Sequence, residues 1–419
     1  MGSVINIDAG AARRSTAPRR RKRSKTALVL GGGGFTGGVY EIGALRALDL
    51  LSVNRSVNSF DVYVGTSAGS FVAALAANGM TPEQMMRVVL NDAPRPYRDI
   101  DLGLLLRPNF SEFARRGVNL PWHVVRTLRE LGPRLGSVSV LDLGLALAEA
   151  LPSGLYSSSG IEQYLQTVLA EPGHTDDFRR LSNELYLAAT DLDTCERIVL
   201  GAQGWDDVPI SSAVRASTAL PMVYKSHTIK NRDLVDGGIV STTNVDIAVE
   251  AGARFVVVVN PLVPYVNDFS KEVPTLLGRR KRRVADMGIA KIGYQTFKLL
   301  AYQRLHEMAR QWEERYPDVD IVLIEPEPDD ELMFETNILN YSSRVEVAKH
   351  GFESVTVKLA KDYDGLRDVC ERHGIEISAT RVRKVIKHFS AEKEKTRAWR
   401  KILEQTTGAL LRQSADERA

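Results

Sequence analysis

Residues 61–79 read DVYVGTSAGSFVAALAANG, and this stretch decides the fold. Asp61–Gly65 is a short run rich in β-branched and aromatic residues, the pattern of a buried strand. SAGSFVAALAANG, from Ser67 on, has the composition of a helix and is stopped by Asn78-Gly79. At the junction, Gly65-Thr66-Ser67-Ala68-Gly69 is a G-x-S-x-G. A strand running straight into a helix forces the serine between them into strained backbone space. Small flanking residues permit that turn, and the turn exposes the hydroxyl. The helix from Ala68 presents free N–H groups and a positive dipole end, both favourable to an oxyanion. The same five letters can mark a plain glycine-bounded turn. The strand before and the helix after favour a nucleophile.

Upstream, TALVLG (Thr26–Gly31) is a second apolar run ended by glycines, and Val39, Ile42, Leu45 and Leu48 then recur at helical spacing. Between them lies Gly31-Gly32-Gly33-Gly34-Phe35-Thr36-Gly37-Gly38. Glycines there let backbone amides approach an anion with no Cβ in the way. The loop also contains a G-x-G-x-x-G (Gly32, Gly34, Gly37), so a nucleotide-binding reading competes. That reading wants an acidic residue at the end of a second strand about 20 residues on. Asp49 falls within a helix pattern and Asp61 at a strand's beginning, so an oxyanion loop fits better.

Downstream, Thr81-Pro82-Glu83-Gln84 is a helix start with a capping Thr, Pro in the first turn and Gln three residues past the cap. Strands are expected at Glu184–Thr190, Arg197–Leu200, Arg254–Asn260 and Asp320–Glu325. Strands alternating with helices imply an α/β fold with a mostly parallel central sheet and helices on both faces. From about Pro94 to Ser159 the pattern changes to helices broken by Gly and Pro, with no strand: a helical insertion, and a candidate lid. From Lys271 on the chain reads as helical apart from the strand at Asp320, with a basic knot at Arg279–Arg283 and a charged helical tail over 361–419.

The formal net charge is +3, but residues 1–26 hold eight cations against one Asp, which leaves the remainder at −4. The basic character therefore belongs to the N-terminal arm over residues 1–25, RRSTAPRRRKRSK from Arg13. That composition cannot bury a core and is expected to be disordered. It lacks the apolar centre of a signal peptide, and no run reaches the roughly 18–20 apolar residues of a spanning helix. Two cysteines, Cys195 and Cys370, cannot form a disulfide framework and suit a reducing compartment, and neither has the partners of a metal site.

Asp236-Gly237-Gly238 follows the polar turn Lys230–Asp233; by itself it reads as a tight turn. A Ser–Asp–His triad is a second option, since Ser67, Asp236 and His350 occur in the order that an α/β-hydrolase uses. His350, however, lies in RVEVAKHGFESV, a helical pattern, where that chemistry wants a loop. His373 and His388 fall in the charged tail, and His227 on the strand before the turn. Met85-Met86 and the aromatics from Tyr294 to Tyr302 read as packing residues, and Asp191 as a turn residue bracing the site.

Taken together, the glycine-rich loop, the G-x-S-x-G elbow and the D-G-G resemble the patatin-like phospholipase family, in that family's order. LYSSSGIEQYLQ and ELYLAATDLDTCERIVL resemble its segments between elbow and aspartate, and RASTALPMVY followed by LVDGGIVSTTNVDIAVEAGARFVVVV resembles its aspartate region. The resemblance covers Lys25–Pro261 closely and extends loosely to Val355, within a catalytic domain over 26–360. It implies a three-layer α/β/α fold and a Ser–Asp dyad without histidine, acting on acyl esters of lipids through an acyl-enzyme. It assigns Ser67 as nucleophile and Asp236 as base, with Gly32, Gly33 and Gly34 as the oxyanion loop. Gly65, Gly69, Gly237 and Gly238 are then the supporting glycines. In the stretch where that family usually carries an Arg or Lys, this chain has Phe35-Thr36-Gly37. The expected substrate is a phospholipid or other acyl lipid, met at a membrane surface by a cytoplasmic, peripherally attached enzyme. No metal, organic cofactor or nucleic acid is expected. The opposing reading, a non-catalytic binding protein on the same fold, is disfavoured by intact Ser67 and Asp236.

Overall fold

The apolar runs of the sequence become strands of one sheet in the computed structural model, which describes residues 3–6, 24–93, 97, 103, 106–109, 152–267, 272–275, 278–281, 283–336 and 341–389. Among the described residues the main sheet has nine strands. They are β1 (Val4–Asn6), β2 (Thr26–Leu30), β3 (Val62–Thr66), β4 (Glu184–Asp191), β5 (Arg197–Leu200), β6 (His227–Ile229), β7 (Arg232–Asp236), β8 (Phe255–Val259) and β9 (Asp320–Ile324). The spatial order is β1-β9-β8-β2-β3-β4-β7-β6, with β5 also on β4. The first six in that order run parallel, and β5, β6 and β7 pair antiparallel.

Successive residues of the central strands feed two separate cores, as a sheet covered on both faces requires. Leu28, Leu30, Tyr63, Val257 and Val259 pack on one side with α1 (Gly34–Leu51) and α2 (Ala68–Ala77). Ala27, Val29, Val62, Val64, Val256 and Val258 face the other way. There they meet α6 (Val245–Glu250) and Leu305 and Trp312 of α7 (Gly288–Arg315). Around the first face stand α3 (Pro82–Val89), α4 (Ser159–Leu169) and α5 (Ile210–Ser217). The fold is thus the expected mostly parallel sheet between helical layers, and its C-terminal region is helical through α8 (Arg344–Lys361) and α9 (Tyr363–Arg372). No helix among the described residues is long and apolar enough to cross a membrane.

Helix α8 closes directly onto α1. A Cβ at Gly43 would strike the carbonyl of Ala348, and one at Gly351 would lie 2.6 Å from that of Tyr40. Backbones this close need glycine on both partners. The helix that begins at the glycine loop is therefore held by a segment 300 residues away in the chain.

Three local expectations need correction. The stretch 94–159 holds strand: Arg107–Pro108 pairs with Gly154–Ser157, which pairs in parallel with Met222–Tyr224. Most of that insertion, with the lid reading, lies outside the described residues. The stretch after Lys271 opens with an antiparallel ribbon, Glu272–Thr275 on Gly278–Lys281, so part of the basic knot is strand and not helix. Residues 4–6 form the edge strand β1, held where the Ser3 amide donates to the Asp320 carboxylate. The other cations of the basic arm, from Arg13 to Arg23, and the tail beyond 389 lie outside the described residues.

Candidate active site

Strand register brings Ser67 to Asp236. β3 pairs with β4 as far as Thr66, opposite Ala188. β7 takes over at Asp236, opposite Ala189, and runs the other way. Two strands thus end head to head on adjacent positions of β4, and Ser67 follows the end of one while Asp236 is the end of the other. Ser67 Oγ donates to Asp236 Oδ2 at 2.5 Å. Both residues are buried, Ser67 to 8% exposure and Asp236 to 3%.

The elbow has the strain that the sequence anticipated. Ser67 sits at φ 55°, ψ −126°, a region an L-residue rarely adopts. A Cβ at Gly65 would lie 2.5 Å from Ser70 Cα, and one at Gly69 2.5 Å from the carbonyl of Leu30, so the flanking glycines are required by contact. The Ser67 amide donates to Ser217 Oγ (3.0 Å), which itself donates to the Ala188 carbonyl (2.6 Å). Ser217 is thus a positioning residue that sequence reading did not single out, although it lies inside RASTALPMVY.

Asp236 has two fixed ties. Its Oδ1 accepts from Gly238 N at 2.8 Å, and its amide donates to the Ala219 carbonyl. A Cβ at Gly237 would strike the Ala188 backbone. Burial pushes the Asp236 carboxyl up to about 6, and the bonds from Ser67 and Gly238 offset only part of that rise. A carboxylate with this affinity for a proton can accept one near neutral pH.

The glycine loop divides into spent and free donors. The Gly31 amide donates to Val259 O and that of Gly32 to Thr242 O, so neither can serve a ligand. Among the described residues the amides of Gly33, Gly34 and Ala68 meet no acceptor. Gly34 opens α1 and Ala68 opens α2, so two helix N-termini converge beside Ser67. Gly34 has φ +63°, which favours glycine.

Ser67 lies where two cavities join. One, about 310 Å³ including its open mouth, is lined by Gly33, Gly34, Ser67 and Asp236 with Tyr294 and Phe297 of α7. The second, about 1120 Å³ including its open mouth, is almost wholly apolar and shares Gly34, Ser67 and Leu220 with the first. Tyr294, Phe297 and Met85, read from sequence as packing, are cavity walls. Asp191 accepts from the amides of Asp193 and Thr194 and from Arg232, which ties the turn after β4 to the turn end of the β6–β7 hairpin.

No histidine among the described residues lines either cavity. His350 is on α8, bonded to Asp330 at 2.5 Å. His227 meets Ser212 and is pushed down to about 4 by burial. His373 bridges Ser24 Oγ (2.5 Å) and Asp320 Oδ2 (2.7 Å), a Ser–His–Asp chain at the opposite ends of the strands, where β2 and β9 begin. The same carboxylate also takes Arg372 and Ser3, so four segments are stapled there.

The model of the family described as "Patatin-like phospholipase" matches residues 28–249. The chain is 23% identical over 229 residues to "Probable lipid hydrolase 463L" of Invertebrate iridescent virus 6. That match covers 53% of this chain and 63% of the viral protein, so the chain spans less than two thirds of this relative. Among solved structures, VipD from Legionella pneumophila overlaps 85% of this chain and 72% of its own, at 14% identity and a TM-score of 0.38. The type III effector ExoU, of Pseudomonas aeruginosa, overlaps 81% of this chain and 53% of its own, at 16% identity and a TM-score of 0.35.

Proposed function

The chain belongs to the patatin-like phospholipase family, and from that premise we propose that it is a serine hydrolase of lipid acyl esters, working through Ser67 and Asp236 alone. The observation that carries the reading is the 2.5 Å contact between a serine on a strained strand-to-helix turn and a buried carboxyl tuned to about 6. As Ser67 Oγ attacks the acyl carbonyl, its proton passes to Asp236 Oδ2. The oxyanion settles against the free amides of Gly33 and Gly34, with Ala68 across from them. Collapse expels the alcohol, which takes the proton from Asp236 and leaves an acyl-Ser67. Water then repeats the sequence, Asp236 again receiving the proton, and releases the fatty acid. The substrate is a phospholipid, lysophospholipid or similar acyl lipid, and the apolar cavity receives its chain.

Gly32 drops out of the proposed oxyanion hole, because its amide is committed to Thr242. Substitution of its neighbours tests the loop. A Cβ at Gly33 would lie 2.9 Å from both Gly37 Cα and Pro261 Cγ, so alanine must displace the loop. Gly33→Ala or Gly34→Ala is expected to lower turnover about 10²–10³-fold, the usual loss of one oxyanion donor. Turnover on a soluble ester, read beside thermal unfolding, checks this. A folded variant with near-normal turnover places the oxyanion elsewhere.

The lipid substrate sits in a membrane, and the cations from Arg13 to Arg23 are the proposed tether. Each is worth up to roughly 1 kcal/mol near an anionic bilayer, screened within about 8–10 Å at physiological salt. Residues 3–6 and Lys25 must be kept: Val4–Asn6 form β1, Ser3 bonds Asp320, and Lys25 bonds Glu184 and the Ala251 carbonyl. Replacing the seven cations from Arg13 to Arg23 by serine should weaken binding to anionic liposomes, more at low salt than high. Hydrolysis of a soluble ester should not change. Equal liposome binding by both proteins at low salt removes the tether.

A further inference from the structure

The large apolar cavity has a definite axis. Its walls include Gly34, Gly38 and Ile42 of α1 and Ala68, Val72 and Leu75 of α2, residues that lie one or two turns apart on each helix. Both helices start at the carboxyl ends of neighbouring parallel strands, so they descend side by side from Ser67. α3 returns along them. Its first turn is tied to the lower part of α1 by Glu83 and Arg46, and its last turn comes back to the mouth, where Arg344 donates to the Val89 carbonyl. At the lower end stand Leu75, Met80 and Met85, all buried. From Gly34 to Ile42 a helix rises about 12 Å.

We propose that this cavity seats a single acyl chain and measures its length, the chain running down between α1 and α2 and stopping on Leu75, Met80 and Met85. An extended chain advances about 1.2 Å per bond, judged from the reach of a three-bond peptide unit, so about ten carbons fit before the floor. The preferred substrate is therefore an ester of a medium-length straight acyl group. This rests on the hydrolase reading above and adds the selectivity. Each methylene buried in an apolar slot should raise kcat/KM about three- to fourfold until the floor is reached, after which further methylenes gain nothing or clash.

The experiment is a chain-length profile on soluble p-nitrophenyl esters from C4 to C16, below their micelle concentrations, with the full chain. Wild type should climb to about C10–C12 and then level or fall. Leu75→Phe shortens the slot and should lower the C12:C4 ratio of kcat/KM at least about tenfold. Met85→Ala opens the floor and should move the optimum two to four carbons longer. A ratio taken within one preparation cancels any loss of folded protein. A wild-type profile flat from C4 to C16, or the same C12:C4 ratio in both variants, overturns the proposal while leaving an ester hydrolase. No hydrolysis at any length overturns the hydrolase reading, and the selectivity with it.

Discussion

Ser67→Ala lowers ester hydrolysis by about 10⁶, the scale of loss when a catalytic serine is removed. The reaction has no other route in this site. Asp236 can accept a proton, but among the described residues no second hydroxyl is bonded to it. The fold should survive the change, because alanine at φ 55°, ψ −126° is no more strained than serine, and the Ser67 amide keeps its bond to Ser217. Thermal unfolding should therefore be close to wild type while initial rates on a soluble ester fall to background. A variant that keeps more than a few per cent of the rate assigns the nucleophile elsewhere.

Asp236→Asn preserves shape and removes the base, so turnover drops about 10²–10⁴-fold. Two pH signatures accompany it. In wild type, kcat/KM should rise with pH through about 6, where the buried carboxyl ionises, and the asparagine variant should lack that limb. Stability should move the other way. The folded carboxyl binds its proton more tightly than the unfolded one, whose value is near 3.8. Burial of this group is therefore harmless below about 4 and costs stability as pH rises through about 6, by on the order of 2–3 kcal/mol. Asp236→Asn should accordingly melt higher than wild type at pH 8, with the gap closing toward pH 4. Equal melting at both pH values, together with a rate limb unchanged in the variant, contradicts the role given to Asp236.

Much of this site is legible in the sequence, for a physical reason. The elbow and the glycine loop are local: Gly65, Ser67 and Gly69 are dictated by one turn, and a strand-to-helix pattern reads from neighbouring residues. The parallel sheet followed from β2, β3, β8 and β9, each a short apolar run. What stayed hidden depends on pairing between distant segments. Nothing in LVDGG says that β7 ends against β4 beside β3, yet that register is what brings Asp236 to Ser67. Gly32 looks like its neighbours until Thr242 takes its amide. Tyr294 and Phe297 read as packing because a helix carrying aromatics at these spacings is usually core, and only their placement beside Gly238 and Leu262 makes them cleft walls. β1 is three residues long, too short for any periodicity, and is fixed by Asp320, 317 positions away in the chain. The ribbon at Glu272–Lys281 carries charges that mask its pairing.

The histidines weighed for a triad are bonded elsewhere. His350 is spent on Asp330, and the Ser24–His373–Asp320 chain lies where β2 and β9 begin, at the strand ends opposite Ser67. Asp320 there is bonded by His373, Arg372 and Ser3, and against the upward push of burial the His373 and Arg372 contacts hold its carboxyl far below the usual range. That arrangement is a staple between chain segments.

The most direct test is therefore to treat the protein with a fluorophosphonate and map the adduct by mass spectrometry, in wild type, Asp236→Asn and His350→Ala. A serine activated by Asp236 alone gives a single adduct on Ser67, formed at least about 10²-fold more slowly in Asp236→Asn and at an undiminished rate in His350→Ala. An adduct on Ser24 or any other serine, or labelling that slows as much in His350→Ala as in Asp236→Asn, contradicts the account.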